Sequence, residues 1–178
     1  MTIDNEHQDH SALVEKFVRE LKLASQYGSI LDLACGSGRN GLYLARKGIP
    51  VVFADQDEEK LARIDQIICE EQLDAKTWHV DLETGQPLAG KKFGAIVVFR
   101  YLYRPLFPTI KTSIVPSGLL IYETFNIAQR AYGRPRSPDF LLNDNELATE
   151  FGAWQILHQF EGVVAQPQSA ISQLVARH

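Results

Sequence analysis

Apolar positions along the chain switch between two periods. Leu13, Phe17 and Leu21 recur at i, i+4 and i+8, which predicts one helical face over residues 11–24 with Ser11 as its N-cap. A short apolar strand over 29–33 follows, then a glycine-rich turn and a helix over 40–47. Gly48 stands behind Arg46 and Lys47, as a helix C-terminus favours. Residues 51–55 read as a strand, 57–73 as a helix with acids in its first turn, and 76–81 as a strand. A polar loop leads to a strand over 95–101, and a helix over 106–114 follows Pro105. Pro116-Ser117-Gly118 marks a turn before a strand over 118–125. Strands alternating with helices imply right-handed crossovers and a parallel sheet, and the runs ILDL, AIVVF and GLLIY suit strands buried on both faces. The pattern then changes. Residues 126–143 are rich in Arg, Pro, Gly and Asn and predict an irregular loop, with a short helix from Asp144 to about Phe151. Residues 154–164 and 169–177 read as strands whose connection is too short for a parallel crossover, so they pair antiparallel. The expected fold is α/β: a Rossmann-like, mostly parallel seven-stranded sheet with a C-terminal antiparallel pair and helices on both faces.

Composition narrows the class. The chain has 178 residues, 45% of them apolar, enough for one domain with a real core. That domain spans residues 1–178: an N-terminal helical segment (1–25), a cofactor-binding half (28–125) and an acceptor half (126–178). No apolar run approaches the ~18 residues a membrane helix needs. The net charge of −4 argues against nucleic acid as a partner. Cys35 and Cys69 are too few for a disulfide scaffold. The opening MTIDNEHQDH has neither the basic nor the apolar region of a leader, so a cytoplasmic protein is expected. Nothing in the sequence assigns an oligomeric state.

Gly36-Ser37-Gly38-Arg39-Asn40-Gly41 fits G-x-G-x-x-G between a strand and a helix. Glycines there allow a tight turn and close ligand approach, and a helix beginning near Asn40 offers free N–H groups. Asp55 follows Gly36 by 19 residues at the end of the second strand, where an acid takes ribose hydroxyls. Together these predict a nucleoside-containing ligand. Asp32, inside the first strand, favours a ligand with an ammonium or sulfonium centre over a dinucleotide pyrophosphate. The competing role for Asp32 is an acid that caps the amides of the glycine loop.

The segments ILDLACGSGRNGLYLA, VVFADQD and WHVDLE resemble the class I S-adenosylmethionine-dependent methyltransferases, in the branch of the tellurite-resistance methyltransferase. The later run RYLYRPLFPTI…GLLIYETFN…GRPRSPDFLLNDNEL is similar to bacterial methyltransferases of that neighbourhood, so the resemblance covers about residues 28–178. Ala34 stands where the family usually has Gly, and could tighten the methionine end of the pocket. Gly94 stands where it usually has Asp, away from the ligand end, with no functional effect expected. The resemblance implies S-adenosylmethionine as cofactor. Asp32 would hold its amino group; Ala34, Cys35, Gly36, Ser37 and Gly38 would line the methionine and ribose, with Asn40 opening the helix behind them. Asp55 would take the ribose hydroxyls, flanked by Gln56 and Asp57. Asp81 and the Leu82 amide would read the adenine. Phe99, Arg100 and Tyr101 would stand under the transferable methyl.

Methyl transfer from a sulfonium needs mainly in-line alignment and a dry site. The Asn/Asp-Pro-Pro-aromatic turn of amino-methylating enzymes is replaced by Phe99-Arg100-Tyr101-Leu102-Tyr103, and no Pro-Cys nucleophile occurs. The five histidines lack metal-ligand spacing, so no metal is expected. Arg100, Tyr101, Tyr103 and Glu123 are the candidate catalytic groups, with Arg104, Arg130, Tyr132, Arg134 and Arg136 nearby in sequence. Arginine forks favour a small anionic or aromatic acceptor, and Tyr101, Tyr103 or Glu123 could take a proton. Two alternatives share the glycine motif: an NAD-dependent oxidoreductase and a non-catalytic S-adenosylmethionine-binding module. The N-terminal helix either packs on the sheet or closes over the cofactor.

Overall fold

A computed structural model describes residues 10–165 and 167–178. The opening MTIDNEHQD and Gln166 of the final turn lie outside the described residues. Seven strands form one sheet in the order β3-β2-β1-β4-β5-β7-β6. They are β1 (Ile30–Leu33), β2 (Val51–Asp55), β3 (Ala75–His79), β4 (Phe93–Phe99), β5 (Ile114–Phe125), β6 (Gln155–Ala165) and β7 (Gln168–Arg177). The first five are parallel, and β7 runs antiparallel between β5 and β6. This departs from the all-parallel sixth strand of dinucleotide oxidoreductases.

Alternation along each strand sends side chains to two separate cores. Ile30, Val51, Phe53, Val97, Ile121 and Val175 face α1 (Ala12–Lys16), α2 (Val18–Ala24), α3 (Arg39–Arg46) and α4 (Glu58–Glu71). Leu31, Val52, Ile96, Leu120, Tyr122 and Leu174 face α5 (Phe107–Ser113), α6 (Glu146–Glu150) and the loops. No helix occurs among residues 80–92, between β3 and β4; Leu82 and Leu88 pack the core there instead. No helix of the described residues is long and apolar enough to cross a membrane.

The elements differ from the sequence expectation in three places. A turn residue, Phe17, divides the predicted 11–24 helix into α1 and α2, although Leu13, Phe17 and Leu21 all stay buried. The predicted turn at 116–118 is a bulge inside β5, where Ser117 has φ +66 and its amide donates to the His178 carbonyl. The predicted 126–143 loop contains two 3-10 turns, Ile127–Ala131 and Pro138–Phe140. Gly94 is a packing requirement of the fold. A Cβ there would lie 2.1 Å from the Ala24 carbonyl oxygen and 2.4 Å from that of Gly28, so the end of α2 seats directly on β4.

Candidate active site

The sheet changes direction between β1 and β4, and the residues following these strands border a cavity of about 210 Å³. Ligands bind at such switch points, at the carboxyl ends of the strands. The lining is Ala34, Asp55, Gln56, Val80, Asp81, Leu82, Glu83, Arg100 and Tyr101.

One side is the glycine loop. Gly36 and Gly38 have φ +56 and +76, which glycine adopts without strain. A Cβ on Gly36 would meet nothing within 4 Å, so this turn faces open space. Gly41 serves packing: its Cβ would fall 2.3 Å from the Phe53 ring. Ala34 takes φ +55 without that freedom and carries local strain.

The acids of this side are held by nearby backbone. Asp55 Oδ2 accepts from the Gly36 amide at 2.7 Å and Oδ1 from the Asp57 amide at 3.0 Å. Each oxygen keeps a second lone pair, enough for two ribose hydroxyls. Asp57 is the N-cap of α4, accepting from the Lys60 amide, and the Lys60 contact holds its carboxyl below the usual range. Asp81 is exposed and accepts from the Glu83 amide and the Thr84 hydroxyl, which lower its pKa. Gln56 and the buried Leu82 complete this wall. These residues fit the nucleoside part of a cofactor.

Other sequence candidates point elsewhere. Asp32 is 3% exposed and its Oδ2 accepts from the Gly41 amide at 2.9 Å. It occupies the capping position beneath the loop rather than the cavity wall. Burial pushes its pKa from 3.8 to about 7, against the pull of the Gly41 amide and Arg39. Burial and the neighbouring Asp32 and Asp55 raise the Cys35 thiol far above its ordinary value, which makes it a poor nucleophile. Asn40 is buried and its Oδ1 accepts from the Ser11 amide at 2.8 Å, tying α1 to α3. Ser37 sits exposed on the loop, and Phe99 is buried at the end of β4.

The opposite side centres on Arg100. Its backbone takes φ +57, and its amide donates to the Glu123 carbonyl. The guanidinium lies 4.5 Å from the centre of the Phe125 ring, and Nη2 is 3.4 Å from Glu123 Oε1. Nη1 is buried and has no hydrogen-bond partner among the described residues. Burial lowers the Arg100 pKa; the Glu123 charge opposes this, and the charge of nearby Arg39 adds to it. Tyr101 points its hydroxyl at Glu83 Oε1, 3.4 Å away. Burial and Glu83 raise the pKa of its phenol, so Tyr101 is a donor rather than a base. Tyr103 bonds the Glu83 carbonyl and lines a separate cavity of about 370 Å³ with Arg104, Asp139 and Phe140. Glu123 is buried between Arg100 and Gln173, whose amide donates to Oε2 at 2.7 Å.

Three arginines of the later loop, Arg130, Arg134 and Arg136, are exposed, and Arg130 Nε donates to the Arg136 carbonyl. Arg104 is a staple: it forks onto Glu146 at 2.6 and 2.8 Å and also bonds the Leu141 carbonyl. Among the described residues no group of three or more His, Cys, Asp or Glu is placed to hold a metal ion. Arg39, Glu83, Val80 and Gln173 belong to the site or its support but were not singled out from sequence. Arg39 and Glu83 adjoin recognisable motifs. Gln173 carries no local signal.

Residues 5–168 match the model of the family described as tellurite resistance protein TehB. The chain belongs to that family. It is 27% identical over 140 residues to the probable S-adenosyl-L-methionine-dependent methyltransferase TehB of Haemophilus influenzae, covering 75% of this chain. The match covers 48% of that relative, so the chain spans about half the length of the curated TehB relatives. The crystal structure of TehB from Haemophilus influenzae aligns with a TM-score of 0.71 at 21% identity, over 89% of this chain and 61% of that one. Coclaurine N-methyltransferase, bound to N-methylheliamine and SAH, aligns with a TM-score of 0.71 at 13% identity, over 94% of this chain and 72% of that one. The fold is the Rossmann-like fold of S-adenosylmethionine-dependent methyltransferases, shared by TehB and by coclaurine N-methyltransferase.

Proposed function

We propose that this chain is an S-adenosylmethionine-dependent methyltransferase whose acceptor is a small anion held at Arg100. The observation that carries the reading is the Arg100 guanidinium: it lines the cavity, has a buried Nη1 without a partner among the described residues, and lies near the charge of Arg39. A buried orphan donor calls for a ligand atom, and an arginine fork suits an oxyanion or carboxylate. The family description directs the first trial to tellurite, an oxyanion.

Asp55, Gln56, Asp81 and Leu82 would hold the nucleoside, with the glycine loop and Ala34 beside the methionine part. The bound cofactor supplies a methyl group activated on sulfonium. Arg100 and Tyr101 hold the acceptor so that its lone pair meets the methyl carbon in line with the breaking carbon–sulfur bond. An anionic acceptor becomes one unit less negative on methylation and needs no base. That accords with a Tyr101 phenol whose pKa is raised and a Glu123 tied behind Arg100.

Titration with S-adenosylhomocysteine and NAD tests the cofactor, and S-adenosylhomocysteine release in the presence of tellurite tests the acceptor. We expect S-adenosylhomocysteine to bind and NAD not to. In Arg100→Lys, which lacks the fork, tellurite-dependent release should fall at least about tenfold with S-adenosylhomocysteine affinity kept within about twofold. Binding of NAD alone, or turnover indifferent to Arg100→Lys, would overturn the reading.

A further inference from the structure

A relay of one ion pair and three hydrogen-bond contacts leaves Arg100 away from the cavity and crosses three strands. Glu123 on β5 lies 3.4 Å from Arg100 through Oε1. Its Oε2 accepts from the Gln173 amide on β7 at 2.7 Å. Gln173 Oε1 lies 2.9 Å from His158 Nε2 on β6. His158 Nδ1 lies 3.3 Å from Lys16 Nζ on α1.

The donor roles run one way. An ammonium only donates, so His158 Nδ1 accepts and Nε2 carries the proton. Nε2–H then donates to the Gln173 carbonyl oxygen, which turns the Gln173 amide group toward Glu123. Glu123 accepts from Gln173 on Oε2 and forms an ion pair with Arg100 through Oε1. No link has two donors or two acceptors facing each other. Sequence separations of 50 between Glu123 and Gln173 and 142 between Lys16 and His158 show that the fold as a whole assembles it.

The same helix touches the cofactor side. The Ser11 amide, at the N-cap of α1, donates to Asn40 on α3, and His10 stacks on Tyr43 with ring centres 3.8 Å apart.

We infer that Gln173 and His158 are positioning residues for Arg100, and that α1 braces the acceptor clamp and the glycine-loop helix against each other. This rests on the reading of Arg100 as the acceptor clamp. With Gln173 in place, Glu123 has one oxygen committed and the other turned to Arg100. Without it the buried carboxylate is free to rotate, and Arg100 loses the anchor that opposes its strained backbone.

The test is nitrogen-15 NMR of the arginine Nε–Hε signals in the full chain, with Arg100 assigned by its loss in Arg100→Lys. Gln173→Leu cuts the relay in the sheet, and His158→Phe cuts it at the edge strand while keeping a ring beside Phe17. Ser172→Ala, next in sequence, removes a hydroxyl bonded to Asn126 and Glu161 instead, and is the control. We expect the Arg100 signal to shift or broaden in both relay variants and to stay in place in the control. With tellurite as acceptor, KM should rise roughly tenfold in Gln173→Leu, kcat and S-adenosylhomocysteine affinity staying within about twofold. An unchanged Arg100 signal in both relay variants overturns the relay whatever the kinetics. If the wild-type chain ignores tellurite, that acceptor assignment fails while the arginine signals still decide the relay. Should Gln173→Leu not fold, His158→Phe alone decides in the same way.

Discussion

The two walls of the cavity are built on different principles. On the glycine-loop side, Asp55 is held by the amides of Gly36 and Asp57, Asp57 by that of Lys60, and Asp81 by Glu83 and Thr84. Most of these contacts reach only two or three residues, and the longest, from Asp55 to Gly36, spans 19. On the Arg100 side, the guanidinium depends on Glu123 and Phe125, and Glu123 depends on Gln173. The first wall is fixed by turns and caps, so it tolerates sequence change outside the motif. The second is fixed by strand register, so it is sensitive to distant substitutions.

The most damaging way to break the first wall is from behind. Gly41→Ala would drive a Cβ into the Phe53 ring and within 2.7 Å of Asp32 Oδ2. We expect a loss of about 3 kcal/mol in denaturant unfolding. Asp55→Ala leaves the fold closer to intact but frees the Gly36 and Asp57 amides. S-adenosylhomocysteine affinity should drop about 100-fold by calorimetry.

Asp32 gives a pH-dependent comparison. Its pKa is raised to about 7 in the folded chain against 3.8 ordinarily, so the folded state binds the proton more tightly. This contribution to stability is fully present below about pH 4 and is lost as pH rises to about 7. Asp32→Asn keeps an acceptor for Gly41 and removes the titration. The variant should gain stability relative to the parent across that window, by on the order of 1–2 kcal/mol in urea melts at pH 5 and pH 8. The smallest effect is at Ala34. Ala34→Gly relieves the φ +55 backbone and should change stability by less than about 1 kcal/mol, toward stabilisation.

The same division decides what can be read from sequence. The parallel sheet and its antiparallel end follow from alternating periods up to residue 125 and a short final connection, because crossover handedness and loop length leave few other topologies; the place of β7 between β5 and β6 does not. The glycine loop and Asp55 are legible because their interactions are close in sequence. Asp32 is not: beside a glycine turn an acid reads first as a ligand contact, and its capping role appears only with the Gly41 amide 2.9 Å away. Nor is Gly94, whose need for a bare Cα comes from the Ala24 and Gly28 carbonyls packed against it. Tyr101 and Tyr103 look alike in sequence, yet only Tyr101 reaches the cavity. Gln173 carries meaning only through register, since Glu123 and Gln173 are paired residues of β5 and β7.

The two tryptophans fall on opposite sides of this division. Trp78 on β3 is two residues from Val80 in the cavity wall, with the Lys91 ammonium 4.5 Å above its ring. Trp154 lies before β6, stacked on the His178 imidazole at 4.6 Å and beside Phe151. Each half therefore carries its own intrinsic fluorophore. In Trp154→Phe, emission comes from Trp78 and follows the packing of β3 against the connection that carries Lys91. In Trp78→Phe, it comes from Trp154 and follows the docking of the final strand pair during refolding, without any attached dye.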